Sequence, residues 1–448
     1  MKDLTEGPEG SLILRFALPM LIGNLFQQFY NMVDSWVVGN FVGKLALGAV
    51  GAAFPIVFFM IALTTGITMG ANILIAQAFG AKQMEQVRAI IDTTYLVLLW
   101  AGGALSVAGV LGTEAILRVM QIPQEVFQLA SDYLRIIFGG SIVMLGYNGI
   151  SAILRGLGDS KTPLYMLILA TLLNIVLDLL FVLGFGWGTR GVAWATVISQ
   201  GVSVVGSVWY LNRTHPVLRT NFRHVRFHSY FFRLSLKLGV PTGAQQMLVS
   251  FGIMFMTAIV NSFGSDVLAG FAAASRIDSL AGLPAMNIGL AISSFTGQNL
   301  GARQPERARK GFIAALRIAF SITASVVFLI LLFNKELVGI FTKDPEVIRI
   351  GSQYLRIVAP FHFVFTLMFI TNGVIRGAGA VMVPFLTTLL AMWAIRVPAA
   401  LYFSTVWGVP GLWYSMPTGW IVGTLVSLLY YRSGRWTEKA LLRPSGTP

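Results

Sequence analysis

Asp34 and Asp178 stand roughly mid-span in long apolar stretches of this chain. Asp34 closes a polar series, Asn24, Gln27, Gln28, Asn31 and Asp34, whose spacings of three and four align the side chains on one helix face. Asp178 follows Thr171 and Asn174 at the same spacings. In hydrocarbon such a face must look into a cavity or at a partner helix, because a charge at mid-span costs about 2.5–3.5 kcal/mol even on insertion scales. A carboxyl group kept from water is suited to taking up and releasing a proton near neutral pH. Oxygen atoms from Asn174, Thr196 or the backbone would instead make a monovalent cation site. The chemistry on offer is reversible binding of H⁺ or Na⁺ at Asp34 and Asp178, against the plainer alternative of acids that only bridge helices. Asn174 and Asn148 divide in the same way between ion ligand and interhelical glue.

More polar side chains share these stretches. Thr196, Ser199, Gln200 and Ser203 lie on one face, Ser141, Asn148 and Ser151 on another, and Thr65, Thr68 and Asn72 on a third. The second half of the chain is poorer. Phe255 and Ala399 stand where Asp34 and Asp178 would recur, and the polar groups on offer are neutral: Gln245, Gln246, Asn287 and Asn372. Ion handling is therefore expected in the first half. Asp278, two residues after Arg276, is expected to neutralise that arginine or another. Arg396 is expected to pair with a carbonyl or to snorkel.

The elements that must position these groups come in two copies. Gln77-Ala78-Phe79-Gly80-Ala81-Lys82-Gln83 returns as Gln298-Asn299-Leu300-Gly301-Ala302-Arg303-Gln304, Tyr133-Leu134-Arg135-Ile136 as Tyr354-Leu355-Arg356-Ile357, and Arg155-Gly156-Leu157-Gly158 as Arg376-Gly377-Ala378-Gly379. The constant offset of about 221 marks duplication of one large unit rather than a short-period solenoid. The chain is 56% hydrophobic and 11% charged, against about 25% charged for soluble domains, so the repeated unit is a membrane bundle. Apolar runs predict twelve transmembrane helices, near 12–38, 47–79, 89–111, 125–155, 162–185 and 191–211, then 234–262, 267–299, 311–333, 346–376, 382–404 and 411–431. The expected fold is all-α and integral to the membrane, two six-helix bundles related by a parallel repeat. Its divisions are 1–211, a basic cytoplasmic linker 212–233, 234–431, and a cytoplasmic tail 432–448.

A net charge of +14 could suggest nucleic acid, but the basic residues collect in alternate loops. Lys82, Arg88, Arg155, Lys161, Arg219, Arg223, Arg303 and Arg307 share one side with the tail, and few charges sit opposite. That side is expected to be the cytoplasm, with both termini there and no nucleic acid as partner. Absence of cysteine removes disulfides and thiolate chemistry. Residues 1–10 do not make a basic signal-peptide head, so the first apolar segment reads as a retained span.

Several motifs yield to plainer readings. Gly156-Leu157-Gly158-Asp159-Ser160-Lys161 looks like a phosphate loop, yet it follows a span and its repeat copy loses the Ser-Lys, so a tight turn is expected. His224 and His228 have metal spacing within a run of arginines that suits a basic headgroup helix better. Gly66/Gly70 and Gly239/Gly243 predict close helix packing. No catalytic constellation is present, so no enzyme is expected.

Taken together, the motifs resemble the multidrug and toxic compound extrusion (MATE) transporters along nearly the whole chain. The carriers are Asn31-Met32-Val33-Asp34 with Gly39, Gln77 to Ala81, Arg155-Gly156-Leu157-Gly158-Asp159, Asn174-Ile175-Val176-Leu177-Asp178, Gly191 to Thr196, and Gly297 to Ala302. The resemblance implies an exporter of amphipathic, often cationic organic compounds in the cell membrane, driven by entering H⁺ or Na⁺ and alternating between inward- and outward-open forms. In a bacterial and archaeal branch the ion site lies in the N-terminal lobe. Its positions match Tyr30, Asp34, Tyr133, Asn148, Asn174, Asp178 and Thr196. A cavity for substrate is expected among Gln27, Tyr30, Asn31, Thr68, Gln200, Gln245 and Asn287. The C-lobe acids of another branch are not matched, because Gln245 and Gln246 stand near one of those positions. No cofactor is implied, small organic molecules and membrane lipids are the expected partners, and the chain is expected to be a monomer. The alternative is a flippase of lipid-linked oligosaccharide from the same superfamily, which would want several cations in its cavity.

Overall fold

The computed structural model describes residues 3–214 and 225–442. Helices and turns account for these residues, with no strand among them. The helices of the first repeat are α1 (Glu9–Val37), α2 (Lys44–Gly80), α3 (Met84–Val119), α4 (Gln124–Gly139), α5 (Ser141–Gly156), α6 (Lys161–Leu179) and α7 (Gly188–Thr214). Those of the second are α8 (Ser229–Asn261), α9 (Ser265–Gly301), α10 (Pro305–Leu332), α11 (Asn334–Gly339), α12 (Pro345–Val358), α13 (His362–Gly377), α14 (Met382–Thr388), α15 (Val397–Trp407) and α16 (Val409–Arg432). Ten continuous helical stretches among the described residues are long and apolar enough to span a bilayer, and α4 with α5, bent by 50°, make an eleventh. The twelfth expected span coincides with α16. Its low hydropathy has a physical reason: Gly411, Ser415, Gly419, Gly423 and Ser427 recur every four residues and are buried. A Cβ on Gly419 would lie 2.8 Å from the Ala391 carbonyl, so this face exchanges bulk for close approach.

The repeat is conformational as well as sequential. Gly158 and Gly379 close the turns after α5 and α13 at φ of 78° and 93°, where a side chain would be strained. Lys82 and Arg303 hold matching left-handed conformations at φ of 59° and 58°. The supposed phosphate loop is indeed a turn. Asp159 Oδ1 accepts from the Lys161 and Thr162 amides at 3.0 Å each, and the Thr162 hydroxyl donates to Oδ2 at 2.7 Å.

Two compact units result. The first contains Pro19–Gly243; the second contains Asp3–Leu18 and everything from Ala244 onward. Pro19 and Pro241 lie inside α1 and α8, close to where each helix passes from one unit to the other.

Within the first unit, α2 packs on α3, α4, α5 and the leading part of α8, and α6 packs on α7. The glycine pairs do what their spacing predicts. A Cβ on Gly66 would meet the Gly239 carbonyl at 2.8 Å and the Gly243 Cα at 3.1 Å. These are backbone atoms that cannot rotate away. Gly66→Val is therefore expected to destabilise the first unit by about 1–3 kcal/mol. Gly51, on the same helix with nothing within 4 Å, supplies the control. Thermal aggregation followed by size exclusion should show a lower midpoint for Gly66→Val and an unchanged one for Gly51→Val.

In the second unit α9 is the central helix, packed by α10, α12 and α13. Trp413 of α16 is 1% exposed and stacks on Phe271 at 5.7 Å. The N-terminal segment belongs here. The Leu4 amide donates to Gln298 Oε1 at 2.9 Å, and Asn299 Nδ2 donates to the Leu4 carbonyl at 3.2 Å. Arg307 pairs with Glu9 at 3.4 Å and donates to the Gly7 carbonyl at short range.

Asp278 departs from expectation. It does not pair with Arg276, whose guanidinium lies 5.5 Å from the Phe341 ring centre; it meets His362 Nε2 at 2.9 Å. Two residues apart on a helix, Arg276 and Asp278 face different directions. Arg396 reaches Met392 Sδ at 3.5 Å rather than a carbonyl, and its Nε is buried without a partner.

Candidate functional site

Asp34 lies in the last turn of α1, and Asn174 and Asp178 lie one turn apart on α6. Both helices then widen into a π-helical turn, Val38–Val42 after α1 and Leu180–Gly184 after α6. Such widened turns recur at functional sites, where they shift the side-chain register. Thr196 comes from α7, which packs along α6. All four belong to the first unit.

Asn174 is the hub. With its amide nitrogen turned to the acids, it donates to Asp178 Oδ2 at 3.0 Å and Asp34 Oδ1 at 3.2 Å, while its oxygen accepts the Thr196 amide at 3.2 Å. This orientation satisfies both ends of the carboxamide. The Thr196 hydroxyl meets the Tyr30 hydroxyl at 3.0 Å, one turn before Asp34. Asp178 is 0% exposed, Asn174 1% and Thr196 7%, and Asp178 Oδ1 is buried with no hydrogen-bond partner. Two carboxylates that share one amide nitrogen repel unless a proton or cation lies between them. Apart from the Asn174 nitrogen, the groups gathered here, the two carboxyls and the Tyr30 and Thr196 hydroxyls, offer oxygen atoms, which suit H⁺ or a hard monovalent cation. Among the described residues no group of three or more His, Cys, Asp or Glu could hold a metal ion.

Beside this cluster is a cavity of about 20 Å³, lined by Gln27, Tyr30, Tyr147, Thr171, Ser199 and Gln200 among others. That is room for a water or an ion and far from the several hundred Å³ an organic molecule needs. Thr171 Oγ1 and Gln200 Oε1 are buried without hydrogen-bond partners. Tyr147 is the lining residue that sequence reasoning passed over. Its adjacency to Asn148 and its i, i+4 relation to Ser151 were the available signal.

The other expected residues are placed as follows. Tyr133, on α4, is 8% exposed and sits in the core cluster of the first unit. Asn148 donates to Met144 O on its own helix at 2.9 Å. Thr68 is buried and donates to Thr65 O at 3.3 Å. Asn31 is exposed, and its carbonyl accepts from Ser35. In the second unit Gln245 donates to Thr388 Oγ1 at 2.9 Å and accepts from Arg376 at 3.5 Å. Asn287, 1% exposed, returns its amide to Leu283 O at 2.8 Å. Of the two histidines once weighed as a metal pair, His224 lies outside the described residues, and the His228 amide bonds Thr93 Oγ1 at 3.2 Å.

A duplicated helical membrane protein with buried acids has the build of many transporters. The MatE family model matches residues 19–180 and 241–401. A relative described as "Probable multidrug resistance protein YpnP", from Bacillus subtilis, is 33% identical over 439 residues, covering 98% of both chains. "Probable multidrug resistance protein NorM" of Thermotoga maritima is 29% identical over 96% of this chain and 94% of that one. The solved outward-facing conformation of a multidrug resistance MATE family transporter of the MOP superfamily superposes with a TM-score of 0.91 at 26% identity, covering 98% of this chain and 99% of that one. The chain belongs to the MATE family: it is a multi-pass membrane transporter and not an enzyme.

Proposed function

We propose that this transporter is a secondary active antiporter of the cell membrane, exporting amphipathic, often cationic organic compounds in exchange for entering H⁺ or Na⁺. The observation that carries this reading is the Asn174 bridge between Asp34 and Asp178, with one carboxylate oxygen buried and unpartnered. The names of the relatives supply the substrate class. An ion bound between the acids neutralises them, which removes their attraction for a cationic substrate and lets α1, α6 and α7 repack. Ion and substrate then lower each other's affinity, as exchange requires. The apolar spans hold many of the chain's 17 Met and 32 Phe, side chains that repack around varied guests. The basic loops support a topology with both termini in the cytoplasm. The duplication supplies both halves in one chain, so the working form is a monomer.

The test is export of a fluorescent cationic dye from proteoliposomes under a pH gradient or a Na⁺ gradient, each imposed alone. One gradient should accelerate export and name the ion. Dye movement indifferent to both would overturn the antiport reading. Asn174→Ala removes the shared donor, a hydrogen bond to charged groups worth about 1.5–3 kcal/mol. The half-saturating concentration of the coupling ion should then change by about tenfold or more.

A further inference from the structure

We propose that α1 and α10, in the second unit, seat an anionic phospholipid, its phosphate in the pocket rimmed by Arg303, Arg307 and Lys310. The two helices meet at Gly10, where a Cβ would lie 3.7 Å from Ala314 and 3.8 Å from Ile318. At the start of α10 is a cavity of about 350 Å³, lined by those three cations with Glu9, Gln304 and Glu306 among others. Both acids are already answered, Glu9 by Arg307 at 3.4 Å and Glu306 by Arg309 at 2.7 Å. The charge of Lys310 is left over, for its ammonium forms no ion pair among the described residues.

Arg317 extends the same surface. Lys310, Ala314 and Arg317 follow at spacings of four and three on one face of α10, and both cations are exposed. Arg317 lies about 10 Å further along the helix than Lys310. It stands in an apolar span and also forms no ion pair among the described residues. An exposed arginine at that depth reaches back toward the headgroups, where its planar fork matches a phosphate. Leu14 and Leu18, one and two turns beyond Gly10, are exposed, and so is Ile313, three residues beyond Lys310. The occupant must therefore offer phosphate at one end and hydrocarbon at the other, which a membrane phospholipid does and a soluble phosphate does not.

A general excess of cations on the basic side does not account for the cluster. At the offset of about 221, Arg307, Lys310 and Arg317 correspond to Gln86, Ala89 and Leu96, so the first copy is neutral at all three positions. A lipid seated here bridges α1 and α10 at the turn where Arg307 already holds Glu9 and the Gly7 carbonyl, and it adds to the attachment of the N-terminal segment. The inference is independent of the ion and of the organic compound transported.

The test titrates the full chain, in a neutral detergent, with phosphatidylglycerol and with phosphatidylcholine of the same acyl chains, counting bound lipid by native mass spectrometry. The parent should hold one phosphatidylglycerol far more tightly than phosphatidylcholine. Lys310→Gln with Arg317→Gln should weaken that binding by about 25-fold, about fivefold for each near-surface cation removed. Lys310→Arg with Arg317→Lys should retain it. Lys335→Gln with Lys343→Gln removes the same charge from exposed positions elsewhere in the second unit and should leave the affinity unchanged. Equal binding of the two lipids by the parent would overturn the proposal, as would equal losses in the two glutamine pairs. Glycerol phosphate that competes as well as the lipid would make the pocket a site for free phosphate, and would overturn it too.

Discussion

Asp178→Asn, and separately Asp34→Asn, should abolish gradient-driven dye export while leaving the protein folded and able to bind dye. Asparagine keeps the volume and one oxygen but cannot carry the charge that an ion neutralises. At Asp178 the loss falls on a group that is 0% exposed, with an oxygen that no protein donor satisfies. Each remaining acid then keeps Asn174 to itself, with no like charge beside it to make ion binding obligatory. The expected effect is a fall in coupled export of at least about 100-fold, since coupling free energies of about 3 kcal/mol correspond to that factor. The check is export rate against imposed gradient for each variant, with dye binding followed by fluorescence polarisation in micelles. Retention of gradient dependence in both variants would remove the carboxylate pair from the mechanism.

The second large effect concerns the N-terminal segment. A chain beginning at Pro8 loses Leu4, whose backbone meets Gln298 and Asn299 and whose side chain is 1% exposed. Uncovering that leucine pocket forfeits about 1.5–3 kcal/mol. The two lost backbone hydrogen bonds add about 0.5–1.5 kcal/mol each. The sum is several kcal/mol in the second unit, a large fraction of the stability of an ordinary domain. Scanning fluorimetry in detergent should show a markedly lower midpoint for the truncated chain. Leu4→Ala alone should fall between the two, because it keeps both backbone bonds.

Much of this was written locally and periodically, and therefore legible. The polar spacing Thr171, Asn174, Asp178 placed its side chains on one helix face, and the glycine spacings of α2 and α8 announced contact that backbone atoms now make. The twelve spans followed from hydropathy, although α16 needed its small-residue stripe to explain why it is less apolar than the rest. Asp278 was legible only as an acid near an arginine. Its partner His362 is 84 residues away in sequence and has no repeat copy to flag it. Spacing alone does not give the partners of Gln245 and Asn287: Asn287 bonds Leu283 O on its own helix, while Gln245 bonds Thr388 and Arg376 on two others.

The division of α1 and α8 between the two units bears on ancestry and on fragments. Asp3–Leu18 is built into the second unit, and the part of α8 up to Gly243 into the first. A cut within 215–224 would thus yield two pieces that each lack part of one unit and carry part of the other. Such pieces should recover transport only when produced together. Read backwards, a chain of half this length could complete its core only by trading leading half-helices with a second copy, an obligate swapped dimer. Duplication and fusion would then have made that trade internal and freed each copy to diverge, and in this chain the first alone carries the carboxylate pair.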